Sequence, residues 1–556
     1  MEAQSNATPS AIGRLERLAS FIENRPALGL AGFSVMYFAV AAKLASRRLL
    51  WEDEFFTLYL SRLSPGEMWT ALLTGADQHP PVFYWLTHLC LSIFGTHHLS
   101  IRIPAIFGVW LMCVCIYFIV SHRTSVIYGI AAMIMPLLTY VFFYAYEARG
   151  YGPALGFTGL ALLGWQQAAD GRRRKLGLLA LAIGLMLAVS SHYYFGLVVF
   201  ALSLGELVRS RMTRHLDVPV WLAFASSLLP LVAFLPLIKA ARSYSATFWA
   251  RPYWQQAFDI YEFIGINSST PVVLLIAFFG IWLACSRPAP ADARKGPVIP
   301  QYELAAITGL LLVPAIAVFF AIFVTHAFHF RYALSPVIGS AVLAAWIAYA
   351  LLRGSRTGGL CVVMVGVLGF WVVSWRAWTM RGREVAGVSA SLELLNAIEE
   401  KSIPIAVTTV TTFYQLSFYA PRSLANRIVY PADPASSVKF IKHDTMDRGL
   451  LALQPWFPLN TLRYDDLMRM TPGFFNYGDF TEWSWQTWRF TQERLQLQMF
   501  ARDRGFVLLY VSKPGAAPAP PRPLPQAPSL ALLGVQTAGP SICEQWTQDP
   551  LCSVFH

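Results

Sequence analysis

The sequence predicts a mainly α-helical membrane protein, in which a bundle of about eleven transmembrane helices is followed by a small α/β domain. Apolar residues make up 56% of the 556 residues and charged residues only 13%, whereas a soluble globular protein has about 25% charged residues. The apolar residues form blocks long enough, or nearly so, to cross a bilayer as helices. After the last block, helix-like and strand-like pieces alternate, which is typical of a small α/β domain.

Eleven apolar blocks, separated by polar loops, make up the predicted bundle. Their approximate bounds are 27–46, 101–120, 125–144, 153–168, 176–190, 193–208, 218–238, 270–286, 304–326, 332–352 and 358–375. Several blocks lie at the short end of the range for a membrane span, so their tilt and their limits stay open.

Basic residues in alternate loops set the predicted orientation. With the N-terminus in the cytoplasm, every even-numbered block ends at a loop that carries Arg or Lys, as the positive-inside rule requires. These loop residues are Arg123, Arg172, Arg173, Arg174, Lys175, Arg209, Arg211, Arg214, Arg287, Arg294, Lys295, Arg353 and Arg356. The formal charge of +12 therefore indicates topology and contact with membrane lipids, and no nucleic-acid partner is predicted.

The bundle domain is predicted to cover residues 1–376 and to include a long first external loop over 47–100. In this loop Ser64-Pro65 indicates a helix start, and Pro80-Pro81 opens an aromatic-rich run that ends near Gly95. Both segments are amphipathic, so we expect them to lie along the membrane surface.

An odd number of spans places the second predicted domain, 377–556, outside the membrane. Its pattern predicts a helix over 389–400, strands over 404–411 and 506–511, and a Pro-rich linker over 514–528. The tail also holds Cys543 and Cys552, and a short-loop disulfide between them would fit an oxidising compartment.

Polar side chains follow the predicted outer ends of several spans. They include the acidic run Glu52-Asp53-Glu54, then His79, Glu147, Arg149, Tyr151, His192, His326, His329, Arg331 and Tyr332. Because these residues come from the same ends of different spans, we expect the bundle to gather them in one cavity. There a carboxylate can take a proton from a hydroxyl group, while cations hold a departing phosphate.

These motifs, in this order, resemble the membrane glycosyltransferases of GT-C fold. The motifs are Asp-Glu in the first loop, His-Pro-Pro at 79–81, Glu-Ala-Arg-Gly-Tyr at 147–151, His-Tyr-Tyr-Phe-Gly at 192–196 and Phe-Arg-Tyr at 330–332. More narrowly, they resemble the protein mannosyltransferase and aminoarabinose transferase group, which is glycosyltransferase family 39-like. The resemblance covers about residues 30–375 and implies a polyprenyl-phosphate sugar as donor, transfer with inversion, and a bacterial-type inner membrane with the tail in the periplasm.

The resemblance also implies roles for individual residues. Asp53 matches the catalytic base, and its neighbour Glu54 supports it. His79 stands where aminoarabinose transferases carry a lysine that contacts the carrier phosphate, so its role is open. Arg149 and Arg331 are the candidates for binding the donor phosphate. The expected substrate-lining residues are Glu147, Tyr151, His192 and Tyr332.

Several alternatives remain at this point. A lipid-linked sugar flippase or small-solute transporter would suit the bundle, although span centres carry few charges and no half-to-half repeat is visible. The acidic run favours a helix start in any protein, and interfacial arginines also reach for headgroups. His326 and His329 are spaced to share a metal, but no third ligand is evident; a divalent metal is therefore not predicted, and no cofactor is certain. The acceptor is left open among a lipid, a protein and a glycan.

Overall fold

A computed structural model describes residues 11–171, 173–265, 299–457, 459–479, 484–503 and 505–515. Most of these residues are helical. The first helices are α1 (Ala11–Glu23), α2 (Pro26–Arg47), α3 (Glu52–Arg62), α4 (Pro65–Leu73), α5 (Val82–Phe94), α6 (Ile103–Arg123), α7 (Val126–Ile134), α8 (Tyr151–Ala169), α9 (Arg174–Ser191), α10 (Val198–Thr213), α11 (Val218–Ala225), α12 (Leu228–Ala233), α13 (Leu235–Arg242) and α14 (Gln256–Gly265). The later helices are α15 (Gln301–Phe320), α16 (Pro336–Leu351), α17 (Arg356–Asn396), α18 (Val410–Tyr419), α19 (Arg422–Ala425), α20 (Pro434–Ile441), α21 (Thr445–Leu453), α22 (Tyr464–Met470) and α23 (Trp485–Gln492).

Within the described ranges, six helical stretches are long and apolar enough to cross a membrane, and a seventh is obtained if the bent pair Val218–Ala233 and Leu235–Arg242 is one span. Three shorter apolar stretches lie at Val82–Phe94, Val126–Leu138 and Pro336–Leu351. The predicted class, a membrane helix bundle with a small α/β region, is confirmed. The number eleven stays a prediction, because several predicted blocks form helices too short to pass and block 270–286 lies outside the described residues.

The chain divides into two compact units. The bundle unit comprises Met1–Arg47, His79–Lys239 and Ala250–Met380, and the sheet unit comprises Arg48–Gln78, Ala240–Trp249 and Arg381–His556. Two pieces of the first 250 residues therefore fold with the C-terminal part of the chain.

Close helix packing in the bundle unit depends on small residues. A Cβ atom on Gly108 of α6 would lie 2.3 Å from the backbone of Gly152 in α8, and one on Gly156 would lie 2.4 Å from the Gly108 carbonyl oxygen. Small side chains let membrane helices approach closely and gain packing contacts along their backbones. The glycines of α8 thus fix its start, which directly follows the Glu-Ala-Arg-Gly segment, against α6.

Two arginines from the predicted basic loops have structural partners in the bundle unit, where Arg123 ends α6 and Arg209 lies within α10. Arg123 donates from Nη2 to Asp170 Oδ1 at 2.8 Å and from Nε to Glu303 Oε1 at 3.0 Å. Arg209 donates to Glu206 Oε1 at 2.7 Å and to Asp217 Oδ2 at 2.5 Å. The Arg123 pairs and the Arg209–Asp217 pair join neighbouring helix ends, whereas the Arg209–Glu206 pair lies within α10. Their partial burial makes removal of one member costly.

The described part of the sheet unit contains six strands. They are β1 (Ile405–Val407), β2 (Ile428–Ala432), β3 (Thr461–Arg463), β4 (Gly473–Asp479), β5 (Gln496–Asp503) and β6 (Phe506–Ser512). Their order is β3-β2-β1-β4-β6-β5. Strand β1 pairs parallel with β2 and with β4, and β2 pairs parallel with β3. Strand β6 pairs antiparallel with both β4 and β5.

Several local predictions are confirmed and one is corrected. Ser64 caps α4 in a capping box with Glu67, and α5 lies between Pro81 and Gly95, as the turn signals predicted. The strand predicted over 404–411 is shorter, because only residues 405–407 pair and the chain turns into α18 at residue 410. The Thr-rich run at 408–412 has high β-propensity, but in the structure a helix begins within this run, at residue 410. Cys285, Cys543, Cys552 and residues 516–528 of the predicted linker lie outside the described residues.

Candidate active site

Three irregular connections of the bundle unit carry most of the predicted site residues. A 3₁₀ segment over Tyr140–Ala145 precedes the Glu-Ala-Arg-Gly sequence and α8. A second, Tyr193–Leu197, joins α9 to α10, and a third, Phe330–Ala333, precedes α16. Functional side chains often lie on such connections, since rigid helices on either side hold them in place.

Gly150 explains how the first two connections meet. A Cβ atom at this position would lie only 2.4 Å from the carbonyl oxygen of Ser191, the last residue of α9. Only glycine permits this approach of one backbone to another. The result is that Arg149 and Tyr151, on either side of the glycine, lie beside His192, the residue after Ser191.

His79 and Arg149 are directly bonded. Arg149 Nη2 lies 2.8 Å from His79 Nδ1. A guanidinium group only donates hydrogen bonds, so His79 Nδ1 must be the unprotonated acceptor in this contact. The His79 ring also lies edge-on to His192, with ring centroids 5.1 Å apart.

Aromatic rings continue the cluster. The His192 ring is 5.2 Å from Tyr151 and 5.0 Å from Tyr332, measured between centroids. The Arg331 guanidinium carbon lies 5.9 Å from the centre of the Tyr151 ring, within range of a cation–π contact. We call the residues His79, Arg149, Tyr151, His192, Arg331 and Tyr332 the cationic cluster.

The cationic cluster is largely withdrawn from solvent. Arg149 is 4% exposed and His192 5% exposed, and Tyr151 is fully buried. Glu147 is also buried, and its main-chain oxygen accepts the N–H of Arg149 at 2.8 Å in a tight turn. Charged groups in a site shielded from water act on an anion more strongly than they would at the surface.

Asp53 and Glu54 belong to the sheet unit, in the first turn of α3. Asp53 is 8% exposed and Glu54 fully buried. Glu54 accepts the main-chain N–H of Trp51 in a capping box at the helix start. This gives Glu54 a structural task. Adjacent residues of a helix point about 100° apart, so the two carboxylates have different surroundings.

Sequence reasoning missed one ring of the bundle unit. Tyr144 lies 4.9 Å from Tyr151 between centroids and extends the aromatic wall. Its position in the run Phe142-Phe143-Tyr144 made it look like one more interface aromatic. Among the described residues, no three His, Cys, Asp or Glu side chains are grouped as a metal site.

Comparisons with known proteins agree with this architecture. The sequence profile of the family described as dolichyl-phosphate-mannose-protein mannosyltransferase matches residues 78–239. The structure of ArnT from Cupriavidus metallidurans in the apo state superposes with a TM-score of 0.52 at 15% identity, over 88% of this chain and 99% of that one. The chain has a GT-C fold. The resemblance drawn from the motifs is therefore confirmed.

A second ArnT structure gives the same result for this GT-C chain. ArnT from Cupriavidus metallidurans bound to undecaprenyl phosphate superposes with a TM-score of 0.51 at 14% identity, over 86% of this chain and 98% of that one. No curated protein matches the sequence. Together with the apolar helices, the shared fold identifies an integral membrane protein.

Proposed function

We propose that the protein is a membrane glycosyltransferase that moves a sugar from a polyprenyl-phosphate donor to an acceptor. The reaction takes place on the outer face of a bacterial-type inner membrane, with the N-terminus in the cytoplasm and the sheet unit in the periplasm. The acceptor is a lipid, a protein or a glycan. Asp53 is the general base, supported by Glu54, and the cationic cluster binds the donor phosphate.

The observation that carries this proposal is the cationic cluster. His79, Arg149 and Arg331 are at least 70 residues apart in sequence, yet direct bonds and ring contacts link them in one shielded site. Two guanidinium groups walled by aromatic rings suit a phosphate bound next to a sugar. That a protein of the same fold was solved with undecaprenyl phosphate supports a lipid phosphate as the donor's carrier.

The proposed step balances without a further reactant. The Asp53 carboxylate removes the proton of the acceptor hydroxyl as its oxygen attacks the anomeric carbon of the sugar. The bond between that carbon and the phosphate oxygen breaks on the opposite side, which inverts the anomeric centre. Its electron pair stays on the phosphate, where Arg149 and Arg331 stabilise the added negative charge. A phosphate leaving group at neutral pH needs no proton, so one base is enough.

Transfer of label from a radiolabelled polyprenyl-phosphate sugar tests this function. The purified protein in detergent is supplied with membrane extract as acceptor, and wild type is compared with Asp53→Asn. We expect transfer by wild type and a loss of at least about 10³-fold in the variant, since the step then lacks its base. Asp466→Asn, which removes a carboxylate that is 42% exposed on α22, is the matched control and should transfer normally.

Two outcomes would contradict the proposal. Full activity of Asp53→Asn would remove Asp53 from the mechanism. Absence of transfer with each of several donor sugars, together with flux of a lipid-linked sugar in sealed vesicles, would favour the flippase or transporter instead. An enzyme works in detergent without sealed vesicles, whereas a transporter has nothing to move there.

A further inference from the structure

We propose that helix α18 of the sheet unit positions the helix that carries Asp53, and that Thr411, Gln415 and Tyr419 are its positioning residues. This inference rests on the proposed function, in which Asp53 is the base. It gives the C-terminal region a part in catalysis that does not require it to touch either substrate.

Three side-chain hydrogen bonds join α18 to the start of α3. Thr411 Oγ1 donates to Glu52 Oε2 at 2.8 Å. Gln415 Nε2 donates to the main-chain oxygen of Leu50 at 2.9 Å. The main-chain N–H of Leu50 donates to the hydroxyl of Tyr419 at 3.0 Å.

Both main-chain polar groups of Leu50 are therefore bonded to side chains of α18. Leu50 itself is buried, at 2% exposure, so leaving either group without a partner would be costly. Thr411, Gln415 and Tyr419 are spaced by four residues and so lie along one face of their helix. That face holds the chain at residues 50 and 52, immediately before Asp53.

Aromatic packing continues the same contact along α3. The rings of Phe55 and Tyr414 are stacked, with centroids 5.1 Å apart and planes 12° apart. Phe418, four residues further along α18, meets Phe55 edge-on at 5.5 Å. Phe55 and Tyr414 are fully buried, and burial raises the pKa of Tyr414 well above its usual value. The ring therefore packs as a neutral side chain.

A support of this kind is needed because α3 cannot hold its own orientation. It has 11 residues, and isolated helices this short are marginally stable in water. A catalytic group must be held to within about 0.5 Å of its working position, and a displacement of about 1 Å can cost 10²-fold in rate. Hydrogen bonds at the first turn fix the direction in which Asp53 projects, whereas the ring contacts fix the helix along its length.

Thr411 offers the sharpest test, because its hydroxyl is removed without changing the side chain's shape. We expect Thr411→Val to lower kcat by about 10-fold with the donor KM unchanged. Thr411→Ser, which keeps the hydroxyl, should have the kcat of wild type. Glu52→Ala should give the same loss, and the double variant should lose no more than either single one, since both remove one bond. Thr412→Val makes the same change one position along α18 and should leave kcat as in wild type.

Hydrogen exchange of the full-length protein in detergent gives a readout independent of activity. Tyr419→Phe removes the acceptor of the Leu50 N–H, so exchange over residues 50–60 should become faster while exchange in the bundle unit stays unchanged. Faster exchange with unchanged kcat would overturn the positioning role. Equal loss of kcat in Thr411→Val and Thr412→Val would also overturn it, because the effect would then be general to the helix.

The two proposals fail in different ways. If Asp53→Asn keeps full activity, the proposed function fails and the positioning role fails with it, even where exchange shows α18 holding α3. If Asp53→Asn is inactive while variants at Thr411, Gln415 and Tyr419 keep wild-type kcat, the function stands and the positioning role alone is overturned.

Discussion

The bundle unit and the sheet unit hold their candidate catalytic residues by different means. In the bundle unit the cationic cluster lies on short connections, and close backbone contacts such as Gly150 against Ser191 bring those connections together. In the sheet unit Asp53 lies on a regular helix, and side-chain hydrogen bonds from a distant part of the chain hold that helix.

This difference teaches where each unit is sensitive to change. A backbone contact tolerates no added atom but is indifferent to charge. A side-chain contact tolerates changes of size but depends on one donor or acceptor. Variants that add an atom should therefore disturb the support of the candidate residues in the bundle unit. Variants that remove a hydrogen-bonding group should disturb that support in the sheet unit.

Among the changes that test this comparison, removing a guanidinium group from the cationic cluster should have the largest effect. We expect Arg149→Ala and Arg331→Ala each to lower kcat by about 10²–10³-fold, by analogy with the loss of one oxyanion donor. Transfer of labelled sugar in detergent measures this. Arg211→Ala, at an exposed position of α10, should change nothing; equal loss there would show that the effect is not specific to the cluster.

Adding one carbon atom between α6 and α8 should destabilise the bundle unit. In Gly108→Ala the new Cβ would meet the backbone of Gly152 and Pro153 at 2.3 Å, and backbone atoms cannot move aside as a side chain can. We expect a cost of about 3 kcal/mol, seen as a lower midpoint of thermal unfolding in detergent. Gly32→Ala on α2 is the control, because a Cβ there meets nothing within 4 Å. An unchanged midpoint for Gly108→Ala would contradict the close packing.

Substitutions of His79 should show whether its side chain acts as a hydrogen-bond acceptor or as a cation. Because Arg149 donates to His79 Nδ1, His79→Gln keeps an acceptor and should retain most activity. His79→Lys brings a second donor-only cation against Arg149 and should lower transfer by about tenfold, equivalent to one hydrogen bond of about 1.4 kcal/mol. Full activity of His79→Lys would contradict the role of His79 as a hydrogen-bond acceptor for Arg149.

The last comparison concerns the pH dependence of stability, which involves the buried Asp447 in the core of the sheet unit. Burial raises the pKa of Asp447 from 3.8 to about 7. A raised carboxyl pKa stabilises the fold fully below about pH 4, and that contribution is lost as the pH rises to about 7. The difference corresponds to about 4 kcal/mol at most. It is the balance between burial, which raises the pKa, and the hydrogen bonds from Asp433 N–H and Trp485 Nε1 to the carboxylate, which lower it. Asp447→Asn should therefore flatten the dependence of the unfolding midpoint on pH between 4 and 7; an unchanged slope would contradict it.

Much of the fold could be predicted from local signals. A few adjacent residues determine the capping box at Ser64 and the limits of α5 at Pro81 and Gly95. These features can therefore be predicted from the sequence alone. The motif around Arg149 is recognisable through its resemblance to a known family, and the structure adds that Gly150 makes a close contact that no other residue permits. The candidate site residues of both units likewise follow from short motifs in the sequence.

What could not be predicted depends on contacts between distant residues. Thr411, Gln415 and Tyr419 form an ordinary amphipathic pattern, and nothing in it reveals that their partners are Leu50 and Glu52. The turn from β1 into α18 at residue 410 was likewise missed, because β-propensity favours a longer strand there and the surrounding sheet overrides it.

The contact between Glu52 and Thr411 joins residues 359 positions apart, and this separation sets an order of events during synthesis. At about 5–20 residues per second, Glu52 leaves the ribosome roughly 20–70 s before its partner exists. Helix α3 must wait through the insertion of the intervening spans, without the helix that later covers its aromatic face. A newly made chain should then stay sensitive to protease near residue 55 until α18 has been synthesised. Pulse-labelling followed by brief proteolysis would detect this sensitivity.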